Sequence, residues 1–286
     1  MRKIAPGLLL SVFLHISCIG QHLNIMTYNI WYANADAGEN IWENRRDRVA
    51  QAVRDNKIDI AGMQEVLLRQ LTDLGDILKD YQRIGVGRDD GKQKGEFAPI
   101  FFKTNRFELK RSGNFWLSET PDSAGSMGWD AACIRVVTWV YLKDKKTDYE
   151  FYVFNTHFDH MGDTARLESS KLITKRINEI AGDHPVVLTG DFNCTNDSEP
   201  YRLVIETTSG RKLKDCRYSS EKKVFGPDYS FVGSEFTGQP GNIIDNIFVS
   251  EKIRVVKYEI QEKCKHGKCP SDHLPVIAII EISGNP

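Results

Sequence analysis

Six short motifs carry groups able to hold a metal ion or move a proton, and they occur along the 286 residues in one order. They are Thr27-Tyr28-Asn29, Gln64-Glu65, NTHFDH from Asn155 to His160, GDFN from Gly190 to Asn193, Ile244-Asp245-Asn246 and Ser271-Asp272-His273. Each stands at or just beyond the end of an apolar, strand-like run. Strand ends offering Asp, Glu, Asn and His predict one site assembled from the whole chain. The chemistry such a set suits is metal-assisted hydrolysis of a phosphoester. Attack at phosphorus builds charge on the non-bridging oxygens, the attacking water must lose a proton, and the leaving oxygen needs a cation or a proton.

Each need has a candidate. A carboxylate at the end of a buried strand is costly unless paired or coordinated, which makes Glu65 a metal ligand. Magnesium keeps several waters and needs few protein carboxylates, so Glu65, Asp272 and the neutral oxygen of Asn29 suffice. His273 suits stabilising or protonating a phosphate oxygen, or acting as base, with Asp245 on its other ring nitrogen. Gly190 permits a tight strand exit. Beyond it Asp191 and Asn193 share a face while Phe192 points into packing. Asp191 is expected to orient or deprotonate water, Asn193 to hold the phosphate or Asp191, and His157 to donate to a phosphate oxygen. Arg135 and Arg166 are further candidates for phosphate contact. Asp159 and His160 either extend the site or hold its loop. Trp116, Trp129 and Trp139 lie around the loop ETPDSAGSMGWD, as core residues or as a stacking platform for a base or sugar. Taken singly these signals are weak. A lone Glu65 is as readily a surface acid, and an Asp-His pair is more often structural. The ordered set carries the inference.

The elements that must position these groups follow from periodicity. His22 to Tyr32 reads as a strand, Trp42 to Arg54 as a helix with Trp42, Val49, Ala52 and Val53 on one face, Ile58 to Met63 as a buried strand, and Leu67 to Leu78 as a second helix. Short strands are expected at 83–86, 99–102, 107–111 and 115–117, and longer ones at 132–142 and 149–155, joined by a charged turn at 143–148. Thr164 to Ala181 reads as an amphipathic helix stopped by Gly182, and Val186 to Leu188 as the strand that delivers GDFN. Strands at 243–249, 253–260 and 275–282 close the chain. This mixture of hairpins and β-α units predicts an α/β fold of two mixed sheets packed face to face with helices outside. No linker or repeat divides it, so residues 21–286 are expected to form one domain.

Met1-Arg2-Lys3 followed by the apolar run from Ile4 to Ser17 reads as a secretory signal within residues 1–20, too short to span a membrane. An exported protein is expected, with lipid attachment at Cys18 or simple cleavage nearby as equal outcomes. Loss of Arg2 and Lys3 moves the formal net charge from −1 to −3, so the surface is not built for tight duplex binding. Membrane contact is expected only through lipid on Cys18, and a monomer is expected. Of the six cysteines, Cys264 and Cys269 are the expected disulfide pair. The spacing in CKHGKC does not suit zinc.

The ordered set of Asn29, Glu65, His157, Asp191, Asn193, Asp245, Asp272 and His273 resembles the site motifs of the endonuclease/exonuclease/phosphatase superfamily, over residues 23 to 282. The resemblance implies a four-layered α/β sandwich and a hydrolase dependent on Mg2+ or Mn2+. It implies that Asn29, Glu65 and Asp272 surround the metal, that Asp191 acts on water, and that Asp245 pairs with His273. Arg135 stands at a place resembling a phosphate-contacting arginine of pancreatic deoxyribonuclease. The motifs look most like those of deadenylase-like and bacterial secreted members. Cys194 after GDFN departs from inositol polyphosphate phosphatases, and Trp31 from abasic-site endonucleases. A nuclease-type phosphodiesterase is therefore the first expectation. A sugar- or inositol-phosphate monoesterase or a sphingomyelinase-like phospholipase comes next, and a catalytically dead binding module last.

Overall fold

The computed structural model describes residues 22–206, 210–233, 241–262 and 269–282. In chain order the elements are β1 (Leu23–Asn29), α1 (Trp42–Asp55), β2 (Ile60–Gln64), α2 (Leu68–Ile77), β3 (Tyr81–Ile84), β4 (Ile100–Lys103), β5 (Phe107–Trp116), β6 (Val136–Asp144), β7 (Glu150–His157), α3 (Asp163–Ala181), β8 (Val186–Asp191), α4 (Glu199–Glu206), β9 (Lys214–Asp215), β10 (Asp245–Val249), β11 (Ile253–Ile260) and β12 (Val276–Ile282). One sheet runs β11-β12-β1-β2-β4-β3 and the other β5-β6-β7-β8-β10-β9. Each is mixed: β1 lies parallel to β2, and β7 parallel to β8, among antiparallel neighbours.

Side-chain alternation builds the layers. Leu23 and Ile25 of β1, Phe151 and Val153 of β7, and Val187 of β8 meet in the core between the sheets. The alternate residues Met26 and Tyr28 turn outward onto Trp42, Val49 and Val53 of α1. On the far side Tyr152, Phe154 and Leu188 pack on Ile173 and Ile177 of α3 and on Tyr201 and Val204 of α4. The order is helices, sheet, sheet, helices: a four-layered α/β sandwich.

Helix ends follow the sequence closely. Gly182, at φ 51°, ends α3 and donates its N–H to Asn178 O. The start of α3 is capped from a distance, because Asp130 accepts from Thr164 N and Ala165 N. Two strand expectations need correction. Residues 107–116 form one strand, with an irregularity between Leu109 and Arg111 that hides the alternation. The strand expected from residue 132 begins at Val136, because Ala132 N and Cys133 N donate to the Asp159 carboxylate instead of a ladder. Helix α4 was not anticipated; its eight residues are too few to show a period.

The expected signal at 1–20, Cys18 and Cys264 lie outside the described residues. Cys269 is disulfide-bonded, while Cys133, Cys194 and Cys216 are free thiols. Among the described residues no helix is long and apolar enough to cross a membrane.

Candidate active site

Towards one end of the sandwich the inner faces turn polar. Thr27, Gln64, Asn155 and Thr189 are buried there on β1, β2, β7 and β8. Asn155 Oδ1 accepts from Gln64 Nε2 at 2.7 Å and from Thr189 Oγ1 at 3.0 Å. Its amide nitrogen donates to Met63 O and Pro99 O. Gly62 makes the approach possible, since a Cβ there would stand 2.1 Å from Thr189 Oγ1. This cross-linked layer is a floor beneath the site, with Gln64 Oε1 the one atom of its side chains left without a partner among the described residues. One alternation further along each strand, the same inner faces present Asn29, His157, Asp191 and Asp245.

Asn29 joins the carboxylates. Its Nδ2 donates to Glu65 Oε1 and Asp191 Oδ2, both at 3.0 Å, and its Oδ1 accepts from Trp31 N. Glu65 follows β2 in the left-handed region at φ 60°, a costly conformation for a non-glycine residue. The turn aims its carboxylate back at Asn29 and at Tyr32 N, which donates to Oε2. Asp272 arrives from the loop before β12. Burial, together with the nearby Glu65 charge, raises its carboxyl to about 6 despite His273. Two carboxylates that repel in this way fit a divalent cation, which would reverse the sign of their interaction.

His273 Nδ1 meets Asp245 Oδ2 at 2.8 Å, and that oxygen also accepts from Ser230 Oγ at 2.6 Å. Burial opposes a charge on His273, but Asp245 and Asp191 outweigh it and hold the imidazole protonated well above its ordinary range. Its Nε2 stands 3.7 Å from Asp191 Oδ2. Burial first, then Asp245, raises Asp191 to about 7. Asp191, Asp245 and His273 lie close enough to hold a metal between them. Within this group Asp245 holds His273 Nδ1, which leaves Nε2 turned towards Asp191.

His157 behaves oppositely. Burial, then Arg135 and Arg88, push it well below the ordinary range, so it is neutral. Asn193, at φ 48°, donates from Nδ2 to Phe158 O and to His157 Nε2, both at 3.0 Å. The Phe158 carbonyl fixes the amide's orientation, so Nε2 is an acceptor and the proton sits on Nδ1, which has no hydrogen-bond partner among the described residues. In this arrangement the Nε2 of His157 positions Asn193, and His157 lines the cleft. As expected, Phe192 packs away, against Phe158 and Phe248.

The cleft is about 310 Å³ and is lined by Glu65, Asp191, Asp272 and His273 together with Arg88, Glu96, Arg135 and His160. Arg135 is braced by Asp159 at 3.4 Å and by His160 Nδ1 at 3.1 Å. Against the cost of burial, N–H donors from Gly162, Ala132 and Met161 hold the Asp159 carboxyl at about 2. Asp159 is thus the anchor of its loop. Arg166 does not line the cleft; its guanidinium is spent on Asp159 O and Asp163. The three tryptophans do not line it either: Trp116 is buried on Ala98 and Val136, and Trp139 packs on Tyr152. A larger hollow of about 1230 Å³ is lined by Lys143, Tyr152 and His184 with several acids, but among the described residues no three of its His, Asp and Glu side chains stand close enough to hold a metal.

Sequence reasoning missed Arg45, Arg88, Glu96 and Ser230. Arg45 is wholly buried and uses all five N–H donors. They go to Asn40 O, Ile30 O, Pro270 O, Trp31 O and Tyr32 O, tying the loop after Asn29 to the loop before Asp272. The only sequence signal was an arginine at the buried face of an amphipathic helix.

The model of the Endonuclease/Exonuclease/phosphatase family matches residues 26–273. The chain belongs to that family. Its members are divalent-metal-dependent phosphoester hydrolases, and this protein is a metal-dependent phosphoester hydrolase. A family structure from Bacteroides vulgatus is 42% identical, covering 92% of this chain and 100% of its own, with a TM-score of 0.87. A Bacteroides thetaiotaomicron mannosyl-6-phosphatase is 36% identical, covering 90% of this chain and 99% of its own, with a TM-score of 0.83. An uncharacterised protein of Acanthamoeba polyphaga mimivirus is 27% identical over 84% of this chain and 92% of its own length.

Proposed function

We propose that this family member is a phosphomonoesterase acting on a sugar phosphate. The observation that carries the reading is the likeness, 36% identical across 90% of the chain, to a mannosyl-6-phosphatase. The cleft supports it: about 310 Å³ is at the small end of ligand pockets and suits one phosphorylated sugar. The nuclease-type diesterase, first on sequence grounds, becomes the second reading, since the formal net charge of −1 offers no field for a polynucleotide.

Mg2+ or Mn2+ would be held by Glu65 and Asp272, with Asn29 beside them, and would neutralise charge on a phosphoryl oxygen. Asp191, raised to about 7, takes the proton of the attacking water. Its orientation is fixed by Asn29 Nδ2 and by Asn193 N–H at 3.0 Å. Protonated His273, held by Asp245, donates from Nε2 to the phosphoryl group as charge builds there. Neutral His157 holds Asn193 in register, and Arg135, which lines the same cleft, contacts the phosphate. Hydrolysis of p-nitrophenyl phosphate, sugar phosphates, bis-p-nitrophenyl phosphate and single-stranded oligonucleotides, with Mg2+ and with EDTA, tests the reading. EDTA-sensitive release of phosphate from monoesters is expected. Cleavage of diesters alone would sink the monoester reading.

Export through the segment from Ile4 to Ser17, with or without lipid on Cys18, is proposed on sequence grounds. The mass of the mature N-terminus tests it. An intact Met1 on the cellular protein would refute it.

A further inference from the structure

Arg88 and Glu96 lie on the connection between β3 and β4, outside every motif that marks the reaction centre. The loop is pinned: Phe97 exchanges backbone hydrogen bonds with Val66, next to Glu65, and Trp116 Nε1 donates to Arg88 O. Arg88 Nη1 meets Glu96 Oε2 at 2.6 Å, with both side chains less than one-fifth exposed. Both line the catalytic cleft. Glu65 is among the charges that act on Glu96, and Arg88 among those that act on His157, so the pair stands beside the reaction centre.

A phosphate would be a poor ligand for this wall, because Glu96 already satisfies the charge of Arg88 and its carboxylate repels an anion. A fixed guanidinium–carboxylate pair offers donors and acceptors side by side. A hydroxyl group is both donor and acceptor and carries no charge, so it fits such a pair. Tyr32, 39% exposed, also lines the cleft and adds an aromatic face.

We propose that Arg88 and Glu96 form the subsite that recognises hydroxyl groups of the sugar carrying the phosphate. This rests on the sugar-phosphatase reading above. A site that pairs with substrate hydroxyls discriminates strongly against analogues that lack them.

The test compares two monoesters, mannose 6-phosphate and p-nitrophenyl phosphate, which has no sugar hydroxyls. Glu96→Gln keeps the shape and removes the charge; Arg88→Lys keeps the charge and removes the planar fork. In each variant the ratio of kcat/KM for the sugar phosphate to that for p-nitrophenyl phosphate should fall 10- to 100-fold, the loss of one charge-assisted hydrogen bond. Melting temperatures check that both variants fold, and Glu96→Ala serves if either does not. Equal loss on both substrates, or a Ki for inorganic phosphate that rises in step with the sugar-phosphate KM, would overturn the proposal and assign the pair to the phosphate or the fold. If the wild-type protein hydrolyses neither monoester, the sugar-phosphatase reading itself has failed.

Discussion

Asp245→Asn separates charge from geometry at the reaction centre. Asp245 Oδ2 serves both His273 Nδ1 at 2.8 Å and Ser230 Oγ, while Oδ1 has no hydrogen-bond partner among the described residues. An amide nitrogen can take the Oδ1 place and leave the acceptor oxygen where it is, so the histidine stays positioned and only the charge is lost. Unit charges with centres roughly 4 Å apart interact by about 4 kcal/mol at an effective dielectric of 20. That is ~3 pKa units, enough to bring His273 from well above its ordinary range down to or below it. At pH 8 the variant would then hold a neutral imidazole. Losing one preorganised transition-state donor costs about 10²- to 10³-fold in rate. Initial rates with saturating Mg2+ between pH 5.5 and 8.5 read the effect. The quantity to plot is the ratio of variant to wild-type kcat/KM; loss of the Asp245 charge also lowers Asp191 in the variant, which moves the ratio in the same direction as pH falls. A histidine with a lowered pKa regains its proton as pH falls, so the ratio should rise tenfold or more from pH 8 to pH 6. A ratio near one at pH 8, or a large deficit that stays flat with pH, would refute a protonated His273 maintained by Asp245.

Four further outcomes are expected. Mg2+ at about 100 times its Kd should stabilise the protein by ~2.7 kcal/mol, which is roughly 5–10 °C in Tm, and Glu65→Gln should abolish that shift; an unchanged shift would move the metal elsewhere. Arg45→Lys, which cannot serve all five carbonyls, should raise the metal concentration for half-maximal thermal stabilisation about 10- to 100-fold, and unaltered titration would leave Arg45 a fold residue only. Asp215, buried against Tyr201 OH and outside the motifs, is raised to about 6 by burial. Its folded pKa exceeds the unfolded one, so its contribution is present below about pH 4 and is lost as pH rises through 6, by about 3 kcal/mol; urea melts of Asp215→Asn should lack that slope, and an unchanged slope would count against the shift. Gly62→Ala would push a methyl into Thr189 and Asn155, at 2.1 and 2.5 Å, and should cost about 1–3 kcal/mol or more with loss of activity; a wild-type Tm would show that the floor is not rigid.

Periodicity made the fold legible. Alternating residues such as Ile25/Met26 and Val153/Phe154 mark strands buried on both faces, and the stripe of Ile173 and Ile177 marks α3. The same alternation placed Asn29, His157, Asp191 and Asp245 on inner faces. Edge strand β5 and the short α4 were less legible, because a bulge breaks the period of one and the other is too short to have one. Arg166 illustrates a different limit: a residue type suited to phosphate, one turn into a helix, says nothing of whether Asp159 O and Asp163 occupy it first.

The sequence alone determined which groups could do chemistry, that each sits at a strand end, and that their order matches one family. Those are local properties, set by residue type and by the two-residue repeat of a strand. Tertiary structure decided what each group is. Asp191 and Asp272 are raised while Asp159 is held down, and His273 is charged while His157 is neutral, although all are plain Asp and His in the chain. It also brought in Arg45, whose partners lie on other loops, and set the Arg88–Glu96 pair of one loop against the cleft. Protonation state and hydrogen-bond partnership depend on burial and on charges a few ångströms away, and those neighbours can come from positions 242 residues distant, as Asn29 and Ser271 do.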